Sequence, residues 1–546
     1  MPLAEFDFNA LKKYITSSED ETLRSVTEKT RKKYFGSTSS MTHILSQFHY
    51  LLSAWRPVNI ETISRSFQQK LTSFTSLSRA PSAIFLHYKD GTYAIDADKE
   101  FDSANVLMDL GKSMEKQLTL PKDEYERYRR SSENKVSAEE ESRKPEAYRY
   151  STLGDFVMRS QLDAHDPRLP GTGTFDLKTR AVVSIRSNVS KYKKGMGYEI
   201  RKPFGNYESY EREFYDMIRT AFLKYSLQVR MGQMDGIFVA FHNIERMFGF
   251  QYFSLSEIDR AIQGQKDMTL GNREFKISLE LWNVILDYVT DKFPKQSLRI
   301  HFRTLDTKRT QAMDIFAEPV TEEDITAIQT KSIDDINSYR RKVLNLAAQN
   351  SESEASGDMK EGSADNAAET KQALGTEQEN GEPETNSDVE KEGSSNDTSE
   401  TKAELQESGT EQQQERQQEK NQERQSPKNV LGLRLFVTNK VNGFICDRPV
   451  NLKSHDKWSV GYELCQMKQS FAKEKYIKCM NSRKYALTRS RDARKESRML
   501  QKLYKLAEKG RKYRRREDLR DQREGIVVLG EQPFPSSVSS SSSHAS

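Results

Sequence analysis

Cysteine is scarce. The 546-residue chain holds three, Cys446, Cys465 and Cys479, and no two stand in a Cys-x-x-Cys spacing. That excludes a disulfide framework and a cysteine-paired structural zinc, and it points to a reducing compartment. Long hydrophobic runs are missing as well. None approaches the roughly 20 residues that a bilayer-spanning helix needs, so the chain is expected to be soluble or peripheral to a membrane. The opening MPLAEFDFNALKKY has neither the apolar core of a signal peptide nor the Arg-rich character of a transit peptide. The stretch PGTGTF at 170–175 is not followed by Gly-Lys-Ser/Thr, which excludes an NTPase-type phosphate loop. Phe, Tyr, Trp and Ile are absent from 351–428, a segment of Glu, Ser, Gln, Thr, Asn and Gly. Such a segment cannot bury enough apolar area to offset its ordering entropy, so 350–428 is expected to be a disordered linker. The Ser-rich end, 526–546, is expected to be disordered for the same reason.

What remains is a long, ordered-looking block. The length allows two to four domains. Residues 1–100 are expected to form a helical and hairpin region. Apolar residues recur at helical spacing around Phe6, Phe8, Leu11 and Tyr14. Ser37 to Ser40 offer caps for a helix over 41–55, ended by Pro57, and Asp90-Gly91 marks a hairpin within 83–96. His43 and His49 on that helix read as packing or surface residues, since no carboxylate stands at ligand spacing. Residues 101–346 are expected to form an α/β core. In it, a helix over 104–118 carries Glu115, and 121–147 is a solvent-exposed charged insertion. A single long helix spans 207–231 with Gln228 one turn after Lys224, and 236–242 is a buried strand. Residues 429–466 are expected to add short strands that return to the core.

Net charge is only +5, but its distribution is uneven. From 467 to 523 there are 21 Lys/Arg against seven Asp/Glu, a net of +14 that leaves −9 on the rest of the chain. Tyr476, Tyr485, Tyr504 and Tyr513 are interleaved with those cations. A basic helical tail over 467–525 of this composition suits RNA phosphates and stacked bases, with an anionic membrane surface as the alternative.

The centre of the chain is 160–181, SQLDAHDPRLPGTGTFDLKTRA. It reads as two short strands joined by a Pro/Gly turn. Alternation puts Asp176 and Lys178 on one face, with Leu177 on the other. The hairpin returns Asp163 beside them. Two carboxylates and an ammonium then converge, as metal-assisted phosphodiester cleavage requires: hard oxygen ligands for Mg2+ and a cation to stabilise charge or help activate water. A surface hairpin with a salt bridge is the alternative from these residues alone.

The order of helix with Glu115, strand with Asp163, Asp176-Leu177-Lys178 and helix with Gln228 resembles the PD-(D/E)xK nuclease superfamily, in particular its RecB-like and lambda-exonuclease-like members. More closely, STSSMT, FHYLLS, GTYAIDADKEFD, LGKSMEK, QLDAHDPRLPGTGTFDLKTRAVVSIR and FGFQYFSLSEID resemble a fungal mitochondrial family of RNA-processing and RNA-decay proteins associated with the inner membrane. The likeness covers about 1–345 and resumes around 430–480. It implies a restriction-endonuclease-like mixed sheet flanked by helices, with an N-terminal helical extension and a disordered insertion. It implies a 5′-to-3′ exoribonuclease that uses Mg2+, or Mn2+ in its place, in the matrix and peripheral to the inner membrane. Mitochondrial RNA would be its substrate, with mitochondrial RNA polymerase or degradosome components as partners.

Carried over residue by residue, Asp163 and Asp176 would bind the metal, Glu115 would complete the site, Lys178 would lie next to the attacking water, and Gln228 would orient the site. Arg180, the basic loop residues Lys191, Lys193, Lys194, Arg201 and Lys202, and Arg511, Lys512, Arg514 and Arg515 of the tail are the expected nucleic-acid contacts. Two departures stand out. Leu162 replaces the superfamily's Pro before the first Asp. The chain also begins where the family is usually under way, so its targeting segment is expected to be missing. The other readings are a non-catalytic RNA-binding regulator and a mitochondrial DNA nuclease.

Overall fold

A computed structural model describes residues 1, 5–12, 14–102, 106–307, 310–344, 429–488 and 497–525. The expected disordered segments 350–428 and 526–546 lie outside the described residues. Among the described residues the strands are β1 Tyr34–Ser37, β2 Ser82–Lys89, β3 Thr92–Ala97, β4 Tyr148–Leu153, β5 Phe156–Gln161, β6 Ala164–His165, β7 Thr174–Ala181, β8 Gly236–His242, β9 Met247–Ser254, β10 Leu298–Leu305, β11 Ala312–Pro319, β12 Leu431–Val441, β13 Phe444–Cys446 and β14 Trp458–Gln466.

They form two sheets. The larger has ten strands in the order β13-β12-β11-β10-β2-β3-β1-β5-β4, with β14 beside β12. The smaller has four, β6-β7-β8-β9. Both are mixed: β1 runs parallel to β3 and β5, β7 runs parallel to β8, and the other pairs are antiparallel. The chain is thus α/β, with a large mixed sheet flanked by helices. The large sheet draws strands from the first hundred residues, from the middle block and from the segment beyond the linker.

Local chemistry sets the tight turns. Asp90 and Gly91 take φ of 51° and 86°, the paired left-handed turn that joins β2 to β3. Asn442 and Gly443 do the same between β12 and β13. The Thr38–Leu52 helix begins where expected, with Ser40 Oγ accepting from the Ser37 N–H at 3.1 Å. It ends five residues before Pro57, because Ala54 and Trp55 adopt left-handed φ. Met41, Ile44, Leu45, Phe48, Leu51 and Leu52 of this helix are buried in the main core against the large sheet. The Phe48 ring meets Trp282 of the Thr269–Lys292 helix. Such fully buried apolar side chains stabilise the fold by about 1.5–3 kcal/mol each.

Three expectations need correction. The helix expected over 207–231 is two helices, Tyr210–Thr220 and Phe222–Gly232, broken at Ala221 with φ −127° and ψ −33°. The insertion 121–147 is not simply solvated. It folds as the short helices Lys122–Glu126 and Ala138–Arg143, and its Tyr125, Tyr128 and Val136 are buried with Phe6. Phe6 stacks on Tyr128 at 5.6 Å, which is what the N-terminal aromatics do in place of an amphipathic helix. His49 is buried, in keeping with the packing reading, and its Nδ1 lies 2.5 Å from Glu274 Oε1, an acid brought to it from a distant helix.

The basic tail forms the helices Gln469–Thr488 and Arg498–Glu524. The second packs on the body. Leu503 and Ala507 are buried against Val182, Val183, Ile185 and Tyr198. The closest approach is glycine on glycine: a Cβ on Gly510 would overlap the Gly197 carbonyl, and one on Gly197 would overlap the Ala507 carbonyl. Gly510→Val is therefore expected to lift this helix from the body. Tryptic cleavage within 498–524 should quicken, and RNA affinity should drop about tenfold at moderate salt with a shallower salt dependence, as phosphate contacts are lost. Unchanged proteolysis together with unchanged affinity would contradict that packing.

Candidate active site

The expected hairpin is β6 and β7. Ala164 pairs with Phe175 and His165 with Thr174. The connecting loop carries Gly171 and Gly173 at φ of 82° and 71°, and it is tied down by Asp235, whose Oδ2 accepts from the Thr172 N–H at 2.8 Å and hydroxyl at 2.7 Å. Asp163 stands just before β6, and its Oδ2 accepts from the Leu177 N–H at 2.9 Å. That bond fixes Asp163 across from Asp176. On β7 the alternation is as read from the sequence, and the Lys178 ammonium lies 2.5 Å from Asp176 Oδ2.

Burial and the neighbouring Asp176 carboxylate, which is hydrogen-bonded to it, push the pKa of Asp163 well above the usual Asp range. Lys178 is pulled the other way: burial disfavours its charge, but Asp176 and Asp163 outweigh it and hold the ammonium protonated. The ammonium also lies over the Tyr225 ring, 6.0 Å from its centroid. Glu115 sits on the Val106–Thr119 helix, which packs along β7 so that a Cβ on Gly111 would stand 3.4 Å from Thr179 Oγ1. Burial raises the pKa of Glu115, Lys116 and Lys178 oppose that shift, and Asp176 adds to it. Glu115 is therefore within electrostatic reach of the pair without touching it. Among the described residues no group of three or more His, Cys, Asp or Glu is close enough to hold a metal as it stands.

Gln228 lies on the Phe222–Gly232 helix, one turn beyond Tyr225, and its Oε1 is buried with no hydrogen-bond partner among the described residues. Tyr225 was not among the expected site residues. Its three-residue spacing from Gln228, which puts both on one side of the helix, is the signal that could find it.

The two carboxylates are hard oxygen donors, and Gln228, on the helix whose Tyr225 ring lies by Lys178, carries an amide oxygen with no partner among the described residues. They fit a cation such as Mg2+, which takes one or two carboxylates and keeps waters in its other positions. The raised pKa of Asp163 has a consequence for the metal-free protein. This contribution to stability is full below the unfolded value near 3.8 and declines as pH climbs through the folded value. In chelator, Asp163→Asn should match wild type in melting temperature near pH 4 and exceed it increasingly toward neutral pH. A constant gap across that range would contradict this assignment.

The expected nucleic-acid residues divide. Lys193, Lys202, Lys512 and Arg515 are exposed on adjoining surfaces of the 191–202 loop and the terminal helix. Arg511 donates to the Lys194 carbonyl at 3.0 Å, Arg514 meets Glu199 at 3.4 Å, and Arg201 meets Glu199 and Glu208 and stacks on Tyr513. The Lys194 ammonium lies over the Tyr504 ring. These residues join the loop to the helix. Lys191 is half-buried at the start of this loop. Arg180 is not on that surface at all: it is 5% exposed and shares the inner face of β7 with Asp176 and Lys178.

Known proteins resemble the chain at two levels. A Schizosaccharomyces pombe protein described as "mRNA degradation protein pet127, mitochondrial" is 38% identical over 327 residues, which are 58% of this chain and 61% of that protein. Saccharomyces cerevisiae PET127 is 41% identical over 354 residues, 56% of this chain and 42% of that protein. The chain thus spans less than two-thirds of either relative. Among solved structures, Candida albicans Rai1 with pU5 and Mn2+ is 13% identical, covering 63% of this chain and 86% of that one at a TM-score of 0.27. A Schizosaccharomyces pombe Rai1 mutant with 3′-FADP is 11% identical, covering 55% and 79% at 0.30. No helix among the described residues is long and apolar enough to cross a membrane. The family model for mitochondrial protein Pet127 matches residues 14–287, a span that takes in Glu115, the β6–β7 hairpin and Gln228, and the chain belongs to that family.

Proposed function

We propose that the chain is a metal-dependent exoribonuclease working 5′ to 3′ on mitochondrial RNA, in 5′-end processing and in decay. The observation that carries this reading is the meeting of Asp163, Asp176 and Lys178 on one hairpin. Asp163 and Asp176 would hold Mg2+ or Mn2+, with Glu115 completing the set. A divalent ion bound there supplies Lewis-acid stabilisation of charge on the phosphoryl oxygens. Lys178 keeps its proton in the folded protein, so it presents a fixed positive charge where negative charge builds on the phosphate. Gln228 offers an unused oxygen acceptor to orient a water or a ribose hydroxyl. Lys193, Lys202, Lys512 and Arg515 guide the phosphate backbone without reading sequence. The printed description of the S. pombe relative as an mRNA degradation protein supports an RNA substrate. Peripheral contact with the inner membrane would fall to the same exposed cations.

The test is a digest of matched RNA and DNA strands with 5′-phosphate ends by the full chain, with Mg2+ and with Mn2+. RNA shortened from its 5′ end is the expected result. DNA cleavage at an equal rate would move the reading to a DNA nuclease. No breakdown of either strand would overturn it.

A second reading has its own observation. The three acids are not gathered into a ready metal site, whereas the basic helix is firmly built onto the body. That favours a non-catalytic RNA-binding regulator of mitochondrial RNA polymerase or the decay machinery. Full complementation by an Asp163→Ala, Asp176→Ala double variant would support it.

A further inference from the structure

Among the described residues Arg180 is a guanidinium in no ion-pair contact, with Glu213 and Asp216 acting on it only at a distance. It is 5% exposed, and its Nε has no hydrogen-bond partner among the described residues. Its one hydrogen bond, to Thr220 Oγ1, is long at 3.4 Å. The acids nearest to it are already used. Glu213 accepts from Arg186 at 2.7 Å and from the Val183 N–H at 2.8 Å. Asp216 is bound by Arg186 at 3.1 Å and by Arg212 at 2.8 Å. A buried charge left unpaired is costly, so such a group marks a place where an anion belongs.

Position says which anion. Arg180 is two residues beyond Lys178 on the same face of β7, about 6.6 Å along the strand. That is one nucleotide's reach from the phosphate that Asp163, Asp176 and Lys178 would engage. Beyond Arg180 the face is closed. Val182, the next residue on that side, is fully buried with Tyr198, Leu503 and Ala507 under the terminal basic helix. The end of the Tyr210–Thr220 helix, just before the break at Ala221, also meets Arg180 through the Thr220 hydroxyl. A polynucleotide cannot thread past a closed end, but its terminus can stop there.

We propose that Arg180 is the receptor for a terminal phosphate monoester of a nucleic-acid strand, one nucleotide from the cleaved bond. This rests on the reading of the neighbouring acids as a phosphodiester-cleaving site. A monoester carries more charge than an internal diester, and the guanidinium fork matches its oxygens. End recognition of this kind makes the enzyme an exonuclease and sets its direction.

The test is binding of the full chain in EDTA, read by fluorescence anisotropy. The probes are one single-stranded RNA sequence with a 5′-phosphate, with a 3′-phosphate, or with hydroxyls at both ends. One of the phosphate-ended strands should bind about tenfold or more tightly than the hydroxyl-ended strand, the weight of a charge-assisted hydrogen-bonded pair. Which end carries the preference identifies the source of the phosphate. In Arg180→Met the preference should vanish, in Arg180→Lys part of it should remain, and Arg180→Met should melt no lower than wild type. Equal binding of all three strands by wild type, or a preference that survives Arg180→Met, would overturn the proposal. So would loss of the preference together with a marked fall in melting temperature, which denotes a structural guanidinium. No hydrolysis enters the measurement. End preference without RNA breakdown would leave this site and remove the nuclease; RNA breakdown without end preference would do the reverse.

Discussion

Asp176→Asn should slow RNA hydrolysis by about a thousandfold or more, the rate equivalent of the several kcal/mol that a metal-held phosphoryl oxygen contributes. The substitution keeps the size of the side chain and its place on β7. What it removes is the charge that both the Lys178 ammonium, at 2.5 Å, and a divalent ion would need. The protein should still fold. Lys178 is partly open to solvent and can rehydrate, so the melting curve should move by no more than about 1 kcal/mol. Single-turnover decay of end-labelled RNA, run beside a thermal melt, separates the two effects. A variant that keeps a tenth of the wild-type rate would mean that the hairpin is not where the chemistry happens.

Arg186→Met should destabilise the protein by about 3–5 kcal/mol, the cost of removing one partner from a buried ion pair. Arg186 donates to Glu213, to Asp216 and to the Ala181 carbonyl at 2.7 Å. Both acids are wholly buried. Asp216 keeps Arg212, but among the described residues Glu213 retains one hydrogen bond, from the Val183 N–H. A buried carboxylate with one amide for company must either take up a proton or open the structure. Urea unfolding at neutral pH measures the loss, and a change below about 1 kcal/mol would show that water reaches Glu213. The contrast with Arg180→Met is instructive. Two arginines a few residues apart, equally basic in the sequence, should differ in what they contribute to stability because only one of them is ion-paired among the described residues.

That contrast also marks what the sequence makes legible. Asp90-Gly91 announces its hairpin because both residues tolerate the positive φ that a two-residue turn requires. Asp176 and Lys178 share a face because strand alternation is local, and Asp163 follows because a hairpin must return. The break at Ala221 is invisible to spacing, since Phe214, Met217, Ile218, Phe222 and Tyr225 keep helical intervals across it. The separation into two sheets is equally hidden. It depends on β1 choosing β3 and β5 as parallel neighbours, pairings made across long stretches of chain.

Charge composition misleads in a characteristic way. It suggests that Arg180, Arg201, Arg511 and Arg514 all face a nucleic acid. Composition cannot tell an arginine that meets solvent from one that caps a loop carbonyl or lies beneath a helix. The docking of the terminal helix turns on Gly197 and Gly510, two residues with no side chain to notice. Tyr128 and Phe6 meet because the inserted segment folds back on the N-terminus, which no periodicity records.

Calorimetric titration of Mn2+ into the full chain tests the central claim most directly, because it asks only whether the hairpin gathers a divalent ion. Wild type should bind Mn2+, more tightly as pH rises and Asp163 gives up its proton. Asp163→Asn and Asp176→Asn should each lose that binding, while Glu274→Gln, a buried acid in the distant His49 pair, should keep it. Equal Mn2+ affinity in wild type and in both hairpin variants would contradict the account.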